Sequence, residues 1–369
     1  MAYVAIQGGR RAIEEAARLS DYLRAEQGET GLPLSLDDIK HQLRGLHSRV
    51  LSEGGLYHPD LAALAIKQSM GDPLEAAFAL RAYRSTLPRH LDTIAHDTSR
   101  MRLVRRVSAA FKDIPGGQML GATPDYSLRL LKFELMDESP EAFQSIAANW
   151  LKDISTEGVP DTFPKVLDLL RDEGLLVPAD GSGTEDAFDI TRQPMIFPIP
   201  RSAALQSMAR GETGSLLMIA YSNMRGYGDV HPTVGELRVG YLPVELPHPV
   251  TEEPTEIGEV LMTECEVVAM YEGGEETDDQ PRFTIGYGAC FGHNEVKAIS
   301  MAILDRALQK GMQDGAANPS EDAEFVLLHI DGIDSMGFCT HYKMPHYVTF
   351  QSDMDRLRST RSRKASQSK

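Results

Sequence analysis

The sequence predicts an α+β protein, with a helical N-terminal region followed by a C-terminal half of mixed strands and helices. In the first third of the chain, apolar residues recur at the spacing of amphipathic helices. In the last half of the chain, short apolar runs that suit buried strands are mixed with helical segments. The composition, 42% hydrophobic and 25% charged, is that of an ordinary globular protein.

Apolar spacing and capping residues define the N-terminal helices. Between residues 12 and 23 an apolar residue recurs every third or fourth position, and Gly28 ends the pattern. Asp72 followed by Pro73 offers an N-cap and a first-turn proline. The same reasoning predicts helices over residues 39–50, 59–70 and 73–83, and another that starts at residues 139–140.

The C-terminal half is predicted to combine strands with one long helix. Strands are predicted over residues 215–221, 237–244, 260–271 and 325–330, and a helix from Asn294 to Gly311. We divide the chain into a helical domain over 1–98, a basic segment with helices and a linker over 99–200, a mixed α/β domain over 201–352 with a histidine-containing loop, and a basic disordered tail over 353–369.

Charge and cysteine content restrict the class of protein. With 37 Lys and Arg against 54 Asp and Glu, the net charge is −17, which disfavours binding to nucleic acid and to anionic membranes. Three cysteines are too few for a disulfide framework and fit a reducing compartment. We see neither a targeting segment nor a membrane-spanning run. These features predict a cytoplasmic protein.

One basic stretch interrupts this acidic sequence and is a candidate polyphosphate site. The residues of this stretch that could bind a polyphosphate are Arg102, Arg105, Arg106 and Lys112. Arginine contacts phosphate in a bidentate manner, and lysine supplies a point charge. A basic surface that pairs with acidic neighbours explains the same density equally well.

Two glycine-rich segments could admit a ligand. The first runs from Arg225 to Arg238 and offers a cation in Arg225, with Asp229, His231 and Glu236 as acid–base candidates. The second, Gly-Tyr-Gly at 286–288, leads into a helix N-terminus, which is a plausible phosphate site. The spacing of both also fits ordinary tight turns.

Glu264 and Glu266 are predicted to share one face of a strand, because strand side chains alternate. Two such carboxylates could stabilise an oxocarbenium-like centre and protonate a leaving group, with Glu264 as the preferred catalytic candidate. More often, a face of this kind is solvated or paired with basic residues.

His341 and His346 form a possible metal pair. Pro345 between them disfavours regular structure, so the segment is predicted to be a loop in which both imidazoles can turn to one ion. Zinc usually takes three or four protein ligands, so this chain alone would leave the site incomplete. Ordinary surface histidines fit the same spacing.

The motifs together resemble the PhnI family, the nucleosidase-type subunit of the bacterial carbon–phosphorus lyase core complex. The resemblance runs from Tyr3 to Phe350 and is carried by motifs such as the segments 53–55, 80–84, 112–118, 225–228, 261–266, 286–288, 305–308 and 341–347. Ile285 departs from the pattern, because an arginine is expected at that position.

The resemblance implies a subunit of α-D-ribose 1-methylphosphonate 5-triphosphate synthase. With companion subunits, an alkylphosphonate displaces adenine from C1′ of ATP, supplied as MgATP; alone, the subunit acts as a purine nucleosidase on nucleoside triphosphates. The resemblance also implies a radical iron–sulfur partner and a zinc ion, shared with that partner, on His341 and His346. The alternative hypothesis is a non-catalytic, zinc-binding scaffold that docks the radical subunit.

Overall fold

A computed structural model describes residues 9–26, 31–152, 163–178, 187–227, 232–274 and 279–367. It confirms the α+β class. The chain divides into two units, Leu36–Ile330 and Met1–Ser35 with Asp331–Lys369. Within the described ranges, no helix has the length and apolar character needed to cross a membrane.

Four helices begin the larger unit and form their own apolar core. The helices of this unit are α2 Leu36–Gln42, α3 Arg44–Gly54, α4 Pro59–Gln68, α5 Pro73–Arg84, α6 Pro140–Trp150, α7 Asp168–Asp172, α8 Arg201–Arg210, α9 Thr213–Ser222, α10 Glu295–Asp314 and α11 Ala323–His329. Ile39, Val50, Ile66 and Leu80 are buried between α2, α3, α4 and α5. As predicted, Asp72 caps α5 by accepting hydrogen bonds from two backbone N–H groups.

One antiparallel sheet, in the order β1-β2-β3-β4, organises the rest of the larger unit. Its strands are β1 Arg102–Val107, β2 Thr233–Pro247, β3 Pro254–Gly274 and β4 Asp279–Phe291. Helix α10 packs on one face, and α8 and α9 pack on α10. The second core, which contains Leu237, Cys265, Val267 and Met301, lies between this face and the helices.

The Gly-Tyr-Gly segment at 286–288 is part of β4 and not a ligand-binding turn. A Cβ on Gly286 would lie 2.0 Å from the carbonyl oxygen of Ala302, and one on Gly288 would lie 2.2 Å from that of Ala298. The two glycines therefore allow β4 to approach the backbone of α10 closely. This packing explains the motif without an anion.

Two predicted strands are helices. Residues 215–221 lie in α9, where Glu212 accepts hydrogen bonds from the N–H groups of Gly214 and Ser215. Residues 325–330 lie largely in α11, which Asp322 caps. Short apolar runs fit a buried helix as well as a buried strand, so the capping residues decide. Helix α10 also continues past Gly311, the predicted end, to Asp314.

The smaller unit contains α1 Arg10–Ala25, α12 Gly332–Tyr342 and α13 Tyr347–Gln367. The segment expected to be a disordered tail, 353–369, is helical in α13 as far as Gln367. His341 lies in the last turn of α12, whereas His346 lies between the helices. The predicted loop is therefore shorter than expected and holds only one of the two histidines.

Candidate functional site

A row of charged side chains crosses the face of the sheet opposite α10. Glu236 on β2 is in register with Glu266 on β3, which is in register with Tyr287 on β4. One step along, Arg238 on β2 is in register with Glu264 on β3. These carboxylates and the Arg238 guanidinium are buried. The prediction that Glu264 and Glu266 share a face is confirmed.

Three side chains hold the Glu264 carboxylate. Thr98 Oγ1 donates to it at 2.6 Å and Tyr287 Oη at 2.9 Å, and Lys165 Nζ forms an ion pair with it. Burial alone would raise the pKa of Glu264, but the Lys165 charge and these hydrogen bonds outweigh burial and lower it. Glu264 is therefore ionised and fixed in orientation.

Glu266, two residues along β3, has the opposite electrostatic character. Burial raises the pKa of Glu266, and the negative charges of Glu264 and Glu236 add to burial against the opposing charges of Lys165 and Arg171. Its Oε2 is buried and has no hydrogen-bond partner among the described residues. Arg171 Nη2 lies 3.7 Å from its Oε1. Glu266 is therefore an acid that retains its proton more readily than Glu264.

Arg106 and Glu236 form a fully buried ion pair behind this acid pair. Arg106 Nε donates to Glu236 Oε1 at 2.6 Å, and the backbone N–H of Val166 donates to the other oxygen at 2.9 Å. Arg106 also donates to the carbonyl of Pro164 at 2.6 Å. These bonds fix the segment next to Lys165 against the sheet, and so position the lysine that pairs with Glu264.

Arg238 contributes a further buried cation to this face. Its three guanidinium nitrogens have no hydrogen-bond partner in the part of the chain that the structure describes. Its Nε lies 3.8 Å from Glu236 Oε1. With Arg106 and Lys165, Arg238 gives this face three cations, next to the carboxylates of Glu236 and Glu264 and the weaker acid Glu266.

Glu264 and Glu266 line a polar cavity of about 460 Å³. The other lining residues come from the segments before β1 and around α7, and from β4; they are His96, Asp97, Thr98, Ser99, Lys165, Asp168, Arg171 and Tyr287. A volume of this order fits a small organic ligand. We call this the acid cavity.

The remaining predicted cations do not line the acid cavity. Arg102 forms an exposed ion pair with Glu259, and Arg105 is buried and pairs with Asp125 at 2.6 Å. Lys112 is exposed, and Arg225 stacks on the ring of Tyr221. Binding of a polyphosphate by these residues stays a prediction. Asp229 and His231 lie outside the described residues.

Strand alternation in the sequence placed Glu264 and Glu266 on one face but did not indicate the partners of Glu264. Lys165, Thr98 and Tyr287 come from three separate parts of the chain. The Gly-Tyr-Gly motif at 286–288 was a signal for Tyr287, although it was interpreted as a phosphate site or a tight turn. Lys165 follows a segment with no recognisable motif.

The two histidines of the smaller unit are arranged as a possible metal pair. Nε2 of His341 lies 3.4 Å from Nε2 of His346, and the rings are nearly perpendicular at 89°. Zinc–nitrogen bonds of about 2.0–2.1 Å in a tetrahedron place two ligand nitrogens at about this separation. His346 Nδ1 lies 2.6 Å from the Met344 carbonyl oxygen, as in the outer shell of many zinc sites. The nitrogen separation and the His346 contact therefore match a zinc pair, whereas His341 Nδ1 has no hydrogen-bond partner among the described residues.

This pair supplies only two of the ligands that zinc needs. Among the described residues, no group of three or more His, Cys, Asp or Glu side chains is arranged around a possible metal position. Cys339 is an exposed free thiol, and Cys265 and Cys290 are buried free thiols.

Fold and site together define an α+β protein with two buried carboxyl groups that line a cavity on one face of an antiparallel sheet. Comparison with known proteins gives the family: residues 2–364 match the family described as bacterial phosphonate metabolism protein (PhnI). The chain belongs to this PhnI family.

Three relatives match over almost their whole length. The chain is 45% identical over 361 residues to the α-D-ribose 1-methylphosphonate 5-triphosphate synthase subunit PhnI of Escherichia coli (strain K12), covering 96% of this chain and 97% of the relative. It is 43% identical over 363 residues to the subunit of the same name from Rhizobium meliloti (strain 1021), covering 97% and 95%. It is 69% identical over 367 residues to a putative C-P lyase subunit protein, HtxH, of Stutzerimonas stutzeri, covering 100% and 98%.

Proposed function

We propose that this protein is the subunit of a ribosyl phosphonate synthase that breaks the bond between adenine and C1′ of ATP, and that the acid cavity is its active site. With companion subunits an alkylphosphonate takes the place of adenine; without them, water does, and the protein acts as a purine nucleosidase. The names of the relatives support the first part, and the opposite pKa shifts of Glu264 and Glu266 support the second.

The two carboxyl groups have complementary roles in this reaction. As the C1′–nitrogen bond breaks, its electron pair passes to the purine, which takes up the proton of Glu266. The ionised Glu264 stabilises the positive charge that develops at C1′ and the ring oxygen. A phosphonate oxygen, or a water that gives its proton to the Glu266 carboxylate, then forms the new bond to C1′.

Lys165, Thr98 and Tyr287 are positioning residues for Glu264. Their contacts keep this carboxylate ionised and prevent its rotation toward Glu266. Burial and the negative charge of Glu264 raise the pKa of Tyr287, so its hydroxyl stays protonated and donates its hydrogen bond across the working range of pH. The phosphonate is already anionic and needs orientation more than deprotonation.

Release of free purine from ATP or GTP by the purified chain tests this function. Glu264→Gln and Glu266→Gln should each reduce turnover at least about a hundredfold, the usual range for a positioned acid or base. Glu259→Gln is the matched control, because Glu259 lies on the same strand and pairs with Arg102 at the surface. Full activity in both site variants would place the reaction elsewhere.

A second candidate, a zinc-binding scaffold without activity of its own, is favoured by one observation, the 3.4 Å separation of His341 and His346. In that case zinc on this pair, completed by the radical iron–sulfur subunit, would join the two proteins. The decisive result is the absence of base release both from the isolated chain and from the assembled complex with methylphosphonate. Zinc bound in either case would act as a Lewis acid or a structural ion.

A further inference from the structure

A second cavity adjoins the acid cavity and is lined by arginines. It also has a volume of about 460 Å³, and Arg171, Glu266 and Tyr287 belong to the walls of both. Beyond this shared wall it is lined by Arg201, the first residue of α8, and by Arg306 of α10. We call it the arginine cavity. The two cavities are therefore neighbouring parts of one site with different chemistry.

Arg201 is held rigidly at the edge of this cavity. Its Nε and Nη2 donate to the two oxygens of Asp305 at 2.9 and 2.6 Å. Asp305 is buried and also accepts a hydrogen bond from the backbone N–H of Tyr287 at 2.8 Å. Asp305 thus fixes the Arg201 guanidinium relative to the residue that contacts Glu264. The remaining nitrogen, Nη1, has no hydrogen-bond partner among the described residues.

Arg306 is the buried cation of the arginine cavity. It is only 4% exposed, and its Nη2 donates to Glu272 at 3.1 Å. Its Nε is buried without a hydrogen-bond partner in the described part of the chain. A buried guanidinium N–H without a partner is costly, and an oxyanion is the acceptor that satisfies it best.

We propose that the arginine cavity binds a tetrahedral phosphorus oxyanion of a substrate, either the triphosphate of the nucleotide or the phosphonate that attacks C1′. The proposal rests on the proposed function for the identity of the anion. The shared wall places an anion bound to Arg201 and Arg306 next to Glu266 and Tyr287, and hence next to the reacting carbon. The carboxylates of the acid cavity suit the sugar and the leaving base, whereas guanidinium groups suit the anion.

Glu272 provides a way to distinguish anion binding by Arg306 from a purely structural role of Arg306. It is a partly exposed carboxylate that pairs with Arg306 and lines the same cavity. Its negative charge competes with an incoming anion for Arg306. Removal of that charge should therefore tighten anion binding, whereas a merely structural role for Arg306 predicts no such gain.

Calorimetric titration of the full chain with inorganic triphosphate is the direct test. Arg201→Gln and Arg306→Gln should each weaken binding about tenfold or more, as expected for loss of a hydrogen bond to a charged group. Glu272→Gln should strengthen binding several-fold. Arg129→Gln is the matched control, since Arg129 is exposed, pairs with Asp125 and lines neither cavity. If Arg306→Gln does not fold, the half-exposed Arg201 and Glu272 variants carry the test.

Kinetics distinguish the two possible anions. If the triphosphate occupies the cavity, Arg201→Gln raises the KM for ATP and leaves that for adenosine unchanged. If the phosphonate does, the same variant raises only the KM for methylphosphonate in the complex with companion subunits. Folded variants that change neither constant nor the binding of triphosphate would overturn the proposal. Titration requires no turnover, so a wild-type protein that binds triphosphate but releases no purine, either as the isolated chain or in the complex, would refute the proposed function and leave the anion site in place.

Discussion

Glu264 and Glu266 lie two residues apart on one face of β3, and their pKa values are displaced in opposite directions. The difference comes from their neighbours, because both carboxyls are buried. Lys165, Thr98 and Tyr287 all contact Glu264, whereas the nearest cation to Glu266 is 3.7 Å away. Opposite displacement of two adjacent acids is the usual basis for assigning one as proton donor and the other as charge stabiliser.

The rate of base release should depend on pH at both carboxyls. Activity requires Glu266 protonated, so the rate should fall as pH rises through its raised pKa. It also requires Glu264 ionised, so the rate should fall again as pH drops through its lowered pKa. Lys165→Met removes the charge that lowers the pKa of Glu264 and should move the acid limb to higher pH. A pH–rate profile of wild type and Lys165→Met measures both limbs; an unmoved acid limb would remove Glu264 from that step.

We expect the main role of Arg106 to be stabilisation of the fold and not binding of phosphate. Arg106→Met leaves Glu236 buried without its partner and should lower the free energy of unfolding by about 3–5 kcal/mol. Arg102→Met, which breaks an exposed pair, should cost at most about 1 kcal/mol. Urea denaturation gives both values. An Arg106 variant of unchanged stability that had lost affinity for ATP, but not for adenosine, would instead support the predicted polyphosphate site.

Zinc should belong to the assembled complex. Two histidines leave the coordination shell incomplete, so the isolated chain should bind zinc weakly and the complex tightly. His341→Ala with His346→Ala should remove zinc from the complex while base release by the isolated chain stays intact. His329→Ala, an exposed histidine, is the control. Metal analysis and the base-release assay decide the matter together: simultaneous loss of zinc and base release would place the metal in the nucleosidase site.

Lys297 should destabilise the protein at neutral pH. It is fully buried in α10, and its amine donates to Ser52 Oγ at 2.8 Å. Burial lowers its pKa from 10.5 to about 8, so the folded state holds this proton less tightly than the unfolded state. A displacement of this size corresponds to about 3 kcal/mol below pH 8. Lys297→Met should therefore raise the stability at pH 7 by about 1–3 kcal/mol.

The pH dependence of stability distinguishes the cost of burying the Lys297 charge from a change in packing caused by the Lys297→Met substitution. Between pH 8 and 10.5 the unfolded chain holds more protons at Lys297 than the folded chain, so wild-type stability rises relative to that of Lys297→Met. Thermal denaturation across this range measures the convergence, with the exposed Lys152→Met as control. A constant difference between wild type and Lys297→Met would show that folding does not lower the pKa of this amine.

Gly288 should be intolerant of any side chain. Its Cβ would lie 2.2 Å from the carbonyl oxygen of Ala298, so Gly288→Ala must push β4 away from α10. We expect a loss of at least about 1–3 kcal/mol, the usual cost of overpacking. Gly337→Ala in α12 meets nothing within 4 Å and should be neutral or stabilising by up to about 1 kcal/mol. Chemical denaturation compares the two, and an equally stable Gly288→Ala would refute the packing role.

Local sequence was sufficient for features that depend on nearby residues. The capped helix α5 begins where Asp72 and Pro73 predict, because an N-cap satisfies backbone donors within its own turn. Alternation along a strand likewise placed Glu264 and Glu266 on one face. The α+β class followed from the same two periodicities. For α9 and α11 the apolar runs were too short to separate helix from strand.

Only the tertiary structure decided what the charged residues do. Arg106 and Glu236 are 130 residues apart in the sequence, and Lys165 and Glu264 are 99 apart. Spacing along the chain contains no information about pairs of this kind, since sheet register and the path of the loops bring them together. The basic stretch and the pair Glu264 and Glu266 could both be recognised in the local sequence. Which cations neutralise which carboxylates, and hence which acid keeps its proton, depends on distances and burial that exist only in the folded protein.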